Sequence, residues 1–175
     1  SPLWYMTVGA SSGSADFHNK YRGDLGIYRK WTDTQQWVTG LSVMKSASRD
    51  QVHRDTGITG SVAYYSTNAR VAEGGVVYNR SNPGAVDGFR GYGAITLGTA
   101  KNYYLTARLD HGKEAYLPVG AIAQSGNQVG FQSTEFSLQW RHWLAKDWGY
   151  VLGGQLYHNP YYNRKGISAA VFFDF

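Results

Sequence analysis

The C-terminal segment Lys165–Phe175 constrains the fold of this chain more than any other stretch. Apolar side chains stand at every second position from Ile167 to Phe175, and Ser168, Ala170 and Asp174 are among the residues between them. A period of two indicates a β-strand with one apolar face. Soluble domains seldom end on such a strand, because an exposed apolar edge pairs readily with other chains. The segment therefore predicts a strand whose apolar face is covered by lipid or by a protein core.

This ending resembles the C-terminal strand of bacterial outer-membrane β-barrels, which finish in Phe after alternate apolar residues. A β-sandwich with a central final strand is the alternative. The composition favours the barrel, because 14 Tyr, 6 Trp and 22 Gly accompany sparse Leu and Ile, which suits strands between lipid and water better than a large hydrocarbon core. The mean hydropathy of −0.42 does not exclude a membrane, since alternating strands escape averaged hydropathy.

The same alternation recurs along the chain and predicts about ten strands. These are Leu3–Ser11, Tyr21–Trp31, Gln36–Ser46, Thr56–Ser66, Ala69–Arg80, Phe89–Thr99, Tyr103–Asp110, Thr134–Trp143, Trp148–His158 and Lys165–Phe175. The interval His111–Ser133 is expected to be one large loop or partly strand extensions. Long and short connections alternate, and aromatics flank the short ones, as in an interfacial girdle; they include Trp31, Trp37, Tyr103, Trp143 and Trp148. We therefore predict one all-β domain over residues 1–175, an antiparallel up-and-down transmembrane β-barrel with a C-terminal Phe strand.

Charges of both signs lie on the predicted inward faces of these strands. They are Asp24, Lys30, Glu73, Arg90, Arg108, Asp110, Glu135, Arg141 and Asp174. Inward tyrosines leave a barrel of this size little open interior, so these charges are expected to pair in a network that locks the strands together. Removal of one partner would then cost roughly 3–5 kcal/mol. A narrow aqueous pore lined by the same groups is the alternative.

A family resemblance lies in the C-terminal half, residues 91–175. It is carried by Tyr104–Glu114, by Ser133–Arg141, by the Gly153-Gly154 strand and by the terminal Phe175. Together these resemble the YaiO-type outer-membrane β-barrel, which is similar in style to the C-terminal barrels of exopolysaccharide-secretion proteins. The resemblance implies a surface-exposed protein of the bacterial outer membrane, associated with envelope or exported polysaccharide in an export, anchoring or receptor role. It implies no catalytic residues.

An enzyme is the alternative hypothesis. His18, His53, His111 and His158 fall in or beside predicted loops that also contain serines and acids, as in an outer-membrane lipid-modifying enzyme of the lipid A acylase or deacylase type. No H-E-x-x-H string and no calcium-loop spacing is present. The absence of cysteine removes thiolate metal sites and cysteine nucleophiles. The sequence therefore favours a non-enzymatic protein with no cofactor and no metal.

The net charge of +5 and the pI near 9.4 leave two kinds of partner to consider. Nucleic acid is not favoured, because the chain has neither a Lys/Arg run nor a groove-reading motif. Positive loops facing an anionic glycolipid surface explain the charge equally well. The expected partners are outer-membrane lipid, lipopolysaccharide and exported polysaccharide. The start at Ser1-Pro2-Leu3 is compatible with a removed export signal.

Overall fold

The computed structural model describes residues 3–13, 20–49, 54–66, 68–82, 86–116 and 129–174. Within them the chain forms ten strands: β1 (Trp4–Ser11), β2 (Tyr21–Trp31), β3 (Trp37–Ala47), β4 (Arg54–Ser66), β5 (Arg70–Asn82), β6 (Val86–Thr99), β7 (Tyr103–Tyr116), β8 (Val129–Ala145), β9 (Trp148–His158) and β10 (Asn163–Phe173). All belong to one sheet in the order β1 to β10, and each strand is antiparallel to the next. The predicted ten-stranded up-and-down topology is confirmed.

The strands extend further towards the long loops than their apolar pattern indicates. Strands β7 and β8 pair as far as Tyr116 and Val129, so the interval His111–Ser133 consists partly of strand extensions. Strand β5 ends at Asn82 and β6 begins at Val86, where a longer loop was expected, so the alternation of long and short connections is not strict. The extension of β7 carries Lys113 on one face and Glu114 on the other, and therefore lacks the apolar period that marks a strand.

The connections after β2, β4, β6 and β8 are tight turns, and we call this end of the sheet the short-turn rim. Positive φ angles occur at Thr32 and Gln35 in the first of these turns, at Ala69 in the second and at Lys101 in the third, as expected for hairpins. We call the opposite end the loop rim. Both outer strands, β1 at Trp4 and β10 at its last residue, reach the short-turn rim, as an even strand number requires.

The two faces of the sheet differ in chemistry. One face, which we call outward, exposes most of the large apolar side chains, including Leu25, Ile27, Leu41, Val43, Val62, Ile95, Leu138, Leu152, Val171 and Phe173. Among the described residues no large side chain is fully buried. A sandwich would bury these residues between two sheets, so the sandwich alternative is wrong. The opposite, inward face carries the predicted charges, together with Tyr5, Tyr28, Tyr92 and Tyr157.

The sheet has two edges. Within the described ranges no ladder joins β1 to β10, and Ile167 on β10 is 96% exposed. Unpaired backbone groups are costly in a bilayer, so a membrane favours pairing of these two strands. Among the residues described, no helix is long and apolar enough to cross a bilayer.

Candidate functional site: inward charge clusters and the loop rim

A central cluster on the inward face crosses β5, β6 and β7. Arg108 donates from Nε to Asp110 Oδ2 at 2.7 Å and from Nη2 to Asp110 Oδ1 at 2.8 Å. Both residues lie on β7, two positions apart, and therefore share one face. The Arg108 guanidinium stacks 3.9 Å from the ring centroid of Tyr92, and the Tyr92 hydroxyl donates to Glu73 Oε1 at 2.7 Å. A continuous chain of polar contacts thus connects three strands.

A second cluster lies nearer the loop rim and joins β6 to β9. Arg90 forms an ion pair with Glu114 and donates to Ser133 Oγ at 2.9 Å. Tyr157 is buried, with 6% of the residue exposed, and its hydroxyl donates to Glu114 Oε2 at 2.8 Å. The Glu114 carboxylate therefore contacts side chains on β6 and β9, two strands that are not neighbours in the sheet. These contacts hold this part of the inward face together.

The third cluster surrounds Asp174 at the short-turn rim. Its carboxylate accepts from Lys101 Nζ at 2.7 Å, from Arg141 Nη2 at 2.9 Å and from Trp143 Nε1 at 2.8 Å. The hydrogen bond from Lys101, followed by that from the indole, lowers the pKa of the Asp174 carboxyl below its ordinary value. These contacts attach the end of β10 to β8 and to the β6–β7 turn.

Trp143 corrects one prediction. It was expected in the outward girdle, but it lies on the inward face, is 9% exposed and packs edge-on against Tyr104. Trp143 is an even number of residues from the inward Glu135 and Arg141 along β8, so it has the same strand parity and its side chain points to the same face. The ladder shifts register only after it, between Trp143 and Ala145. Strand parity therefore decides its direction, and proximity to a turn does not.

The remaining predicted residues lie apart from these clusters. Asp24 pairs with Arg22 on its own strand, Nη2 to Oδ1 at 2.8 Å. The Lys30 amine lies 5.8 Å from the ring centroid of Tyr5. Glu135 accepts a hydrogen bond from Arg164 at 3.5 Å. Arg164 precedes the predicted strand Lys165–Phe175 by one residue, and in the structure it belongs to β10.

The predicted inward residues are thus divided among separate clusters. Asp110 and Glu135 stand opposite each other in the β7–β8 ladder, yet they contact different arginines. An arginine two positions away on the same strand satisfies Asp110 locally, and sequence patterns do not rank such pairs against cross-strand ones. The choice between a network that locks the strands and a pore stays a prediction.

Two inward tyrosines lie flat against neighbouring strands over glycines. A Cβ at Gly40 would stand 2.4 Å from Tyr28 Cδ1, and one at Gly75 would stand 2.6 Å from Tyr92 Cε1. Tyr5 in turn stacks on Tyr28 with ring centroids 4.8 Å apart. Glycine is required at these positions because the ring occupies the place of a side chain. The aromatic rings therefore fill part of the inward surface.

The described histidines lie at outward strand positions. His111 Nδ1 is 2.8 Å from Thr134 Oγ1, and His158 Nδ1 is 2.6 Å from Asn163 Oδ1. The His142 ring packs at 5.4 Å against neighbouring aromatics of the girdle. In this part of the chain none of the three contacts a serine or a carboxylate.

Two of the candidate histidines, His18 and His53, lie outside the described residues. The stretch 9–13 reads Gly-Ala-Ser-Ser-Gly and matches the G-x-S-x-G pattern, which requires a strand-to-helix turn to expose the serine. Here Ser11 ends β1 and precedes a hairpin connection to β2, so the required context is absent from the described stretch. Over the described ranges no group of three His, Cys, Asp or Glu residues is arranged to hold a metal ion.

The β9–β10 connection presents tyrosines at the loop rim. Asn159 Oδ1 accepts from the backbone N–H groups of Tyr161 and Tyr162, both at 2.8 Å, and Asn159 Nδ2 donates to the Tyr157 hydroxyl at 3.1 Å. Tyr161 is 57% exposed and Tyr162 is 40% exposed. We call Tyr161 and Tyr162 the tyrosine rim. Sequence reasoning missed it, although an Asn-Pro-Tyr-Tyr string after an apolar strand marks a turn with a preorganised Asn.

The fold and its chemistry define a class. A single up-and-down sheet that is apolar outside, charged inside and rimmed by aromatics is a transmembrane β-barrel protein. The chain belongs to the YaiO membrane beta barrel domain family, whose model matches residues 1–117, and the protein resides in the bacterial outer membrane.

The predicted family is therefore confirmed, and its model matches a part of the chain different from most of the residues that suggested it. The match spans the N-terminal two-thirds, and only Tyr104–Glu114 among the quoted segments falls within it. Every strand of such a sheet repeats the same pattern, so the strands at one end are hard to tell from those at the other. Comparison with curated proteins and with solved structures gave no match.

Proposed function

We propose that this outer-membrane barrel is a surface-exposed, non-enzymatic protein that binds envelope or exported polysaccharide at its loop rim, in an anchoring or receptor role. The observation that carries the proposal is the tyrosine rim. Exposed aromatic rings suit carbohydrate, because tyrosine offers a rigid apolar face together with a polar hydroxyl. Sugar rings present C–H faces that stack on such surfaces.

The rim is preorganised for this contact. The side chain of Asn159 holds the turn with hydrogen bonds to both tyrosine N–H groups, and the Tyr162 ring rests 5.5 Å from that of the buried Tyr157. A ring that is already fixed loses little conformational entropy when a ligand stacks on it.

Polar groups that can bind sugar hydroxyls lie near Tyr157, the buried ring against which Tyr162 rests. The Arg164 guanidinium lies 4.9 Å from the Tyr157 ring centroid and contacts Glu135. The two side chains are 53% and 26% exposed, so both remain open to a ligand. Aromatic faces combined with a few convergent polar groups are the usual composition of a ligand site.

The inward clusters support anchoring or reception over export. Arg90, Arg108 and Arg141 each contact a carboxylate on the inward face, an arrangement that suits a strand lock better than a passage for a chain. The lipid-modifying alternative needs a histidine about 3 Å from a serine or acid, and no observation among the described residues favours it.

The test is polysaccharide binding by the refolded protein. Lipid-free envelope polysaccharide is titrated against the wild type and against a Tyr161→Ala/Tyr162→Ala variant, and we expect affinity to fall about tenfold from the loss of two stacking rings. Tyr103→Ala, at the short-turn rim, is the matched control and should bind as the wild type does. Unchanged binding by the double variant, or no binding by the wild type, would refute the proposal.

A further inference from the structure

A group of cations lies on the outward face near the loop rim, away from the tyrosine rim. Lys45 on β3 pairs in register with Thr56 on β4, which pairs with Arg80 on β5. Arg54 lies two positions beyond Thr56 on β4, on the same face. We call Lys45, Arg54 and Arg80 the outer cation cluster. Two strand spacings, about 9.5 Å, separate the Cα atoms of Lys45 and Arg80, so all three side chains can reach one group above Thr56.

The position of this cluster along the strands corresponds to a lipid headgroup region. The neighbouring outward row towards the short-turn rim is apolar, with Leu25 beside Val43 and Val43 beside Ile58. Gly23, in the same row as the cluster, lies eight residues from Trp31 along β2. That distance is about 26 Å along the strand and about 20 Å across the bilayer at a tilt of about 40°. The cluster therefore lies at the interface opposite Trp31, in the outer leaflet.

The cluster borders a groove that suits a ligand. The groove has a volume of about 610 Å³ and is lined by Lys20, Tyr21, Lys45 and Arg54, among others. Within the described part of the chain, Lys45 and Arg80 make no ion pair. The Asp87 carboxylate stands next to Arg80 in the ladder, but it accepts a hydrogen bond from a tyrosine hydroxyl at 2.7 Å.

We propose that the outer cation cluster binds the phosphate groups of a multi-acylated anionic glycolipid of the outer leaflet. Lysine and arginine bind phosphate through charge-assisted hydrogen bonds, and basic residues at a bilayer surface attract anionic lipid. The acyl chains would lie along the apolar row of Leu25, Val43 and Ile58. This lipid-facing site is separate from the polysaccharide contact and does not depend on it.

The test compares binding of diphosphorylated lipid A in phosphatidylcholine vesicles. Removing both charges in Lys45→Gln/Arg80→Gln should weaken binding about 25-fold, or about fivefold for each charge. The control Arg70→Gln/Lys146→Gln removes the same charge at the short-turn rim and should stay within about twofold of the wild type. Dephosphorylated lipid A should bind the wild type as weakly as diphosphorylated lipid A binds the double variant.

Three outcomes would overturn the proposal. They are equal affinity of the wild type and the double variant, equal loss in the control, and stabilisation of the protein by inorganic phosphate alone to the same extent as by the lipid. Folding of each variant is checked by the altered gel mobility of unboiled sample. If the double variant does not fold, Lys45→Gln alone should still weaken binding about fivefold, and an unchanged affinity would overturn the proposal equally.

Discussion

Replacement of Asp110 by Asn tests whether the inward charges hold the sheet together. Asp110 is 15% exposed in its side chain and accepts two hydrogen bonds from Arg108, whose side chain is 37% exposed. Breaking a fully buried pair costs roughly 3–5 kcal/mol, and a charge-assisted hydrogen bond contributes about 1.5–3 kcal/mol. Because the arginine is partly solvated, the loss is reduced by screening, and we expect destabilisation of about 2 kcal/mol.

Glu135→Gln provides the matched comparison. Glu135 faces Asp110 in the ladder, but its contact with Arg164 is 3.5 Å long and that arginine is 53% exposed. Exposed pairs contribute about 0–1 kcal/mol, so this variant should lose less than about 1 kcal/mol. A single network that included both acids would make the two variants equally destabilising.

The measurement is urea unfolding of the protein refolded in vesicles, followed by tryptophan fluorescence and by the mobility of unboiled sample. Planar-bilayer conductance is recorded for the same variants and should remain negligible. If the charges line a pore instead, water replaces the lost contact, so Asp110→Asn would be neutral for stability while ionic current changes. Near-equal stabilities together with open-channel currents would refute the strand-lock interpretation.

Three further predictions concern other parts of the sheet. Leu109→Arg, midway along the outward face of β7, should cost roughly 2–4 kcal/mol in the same urea titration, whereas Gln132→Arg on the same face near the loop rim should cost about 0–1 kcal/mol. Equal losses would contradict the different depths of the two residues in the bilayer. Gly40→Ala forces a Cβ into the Tyr28 ring and should lower the free energy of unfolding by about 1–3 kcal/mol. In a Tyr28→Ala background the same change should cost less. If the losses of the two single variants simply add in the double variant, the contact is excluded. The contacts of Asp174 lower the pKa of its carboxyl. The stabilisation that they provide is therefore present above the unfolded pKa of about 3.9 and is lost as pH falls through the lower folded pKa. Asp174→Asn should make the free energy of unfolding less dependent on pH in the acid range, and an unchanged pH dependence would argue against the cluster.

Alternation was enough to predict the fold. The period of two correctly predicted the first and last residues of strands such as Tyr21–Trp31 and Trp148–His158. One face of each strand meets lipid and the other does not, so apolar and polar residues alternate along the sequence. Where this alternation is lost, as beyond Asp110 on β7, the predicted strand is shorter than the observed one. Strand parity also placed the predicted charges on one face.

Partners across the inward face were decided only by the tertiary structure. Register sets which residues stand opposite each other, and rotamers then decide whether Asp110 contacts Arg108 on its own strand or a neighbour across the ladder. The outer cation cluster likewise arises from the register of three consecutive strands, and the pattern within any one strand does not contain it. The sequence alone determined which side of each strand faces lipid, since that depends on side-chain polarity at alternate positions. The contacts of each inward or rim residue required the sheet, because they depend on which strands it brings within reach of one another.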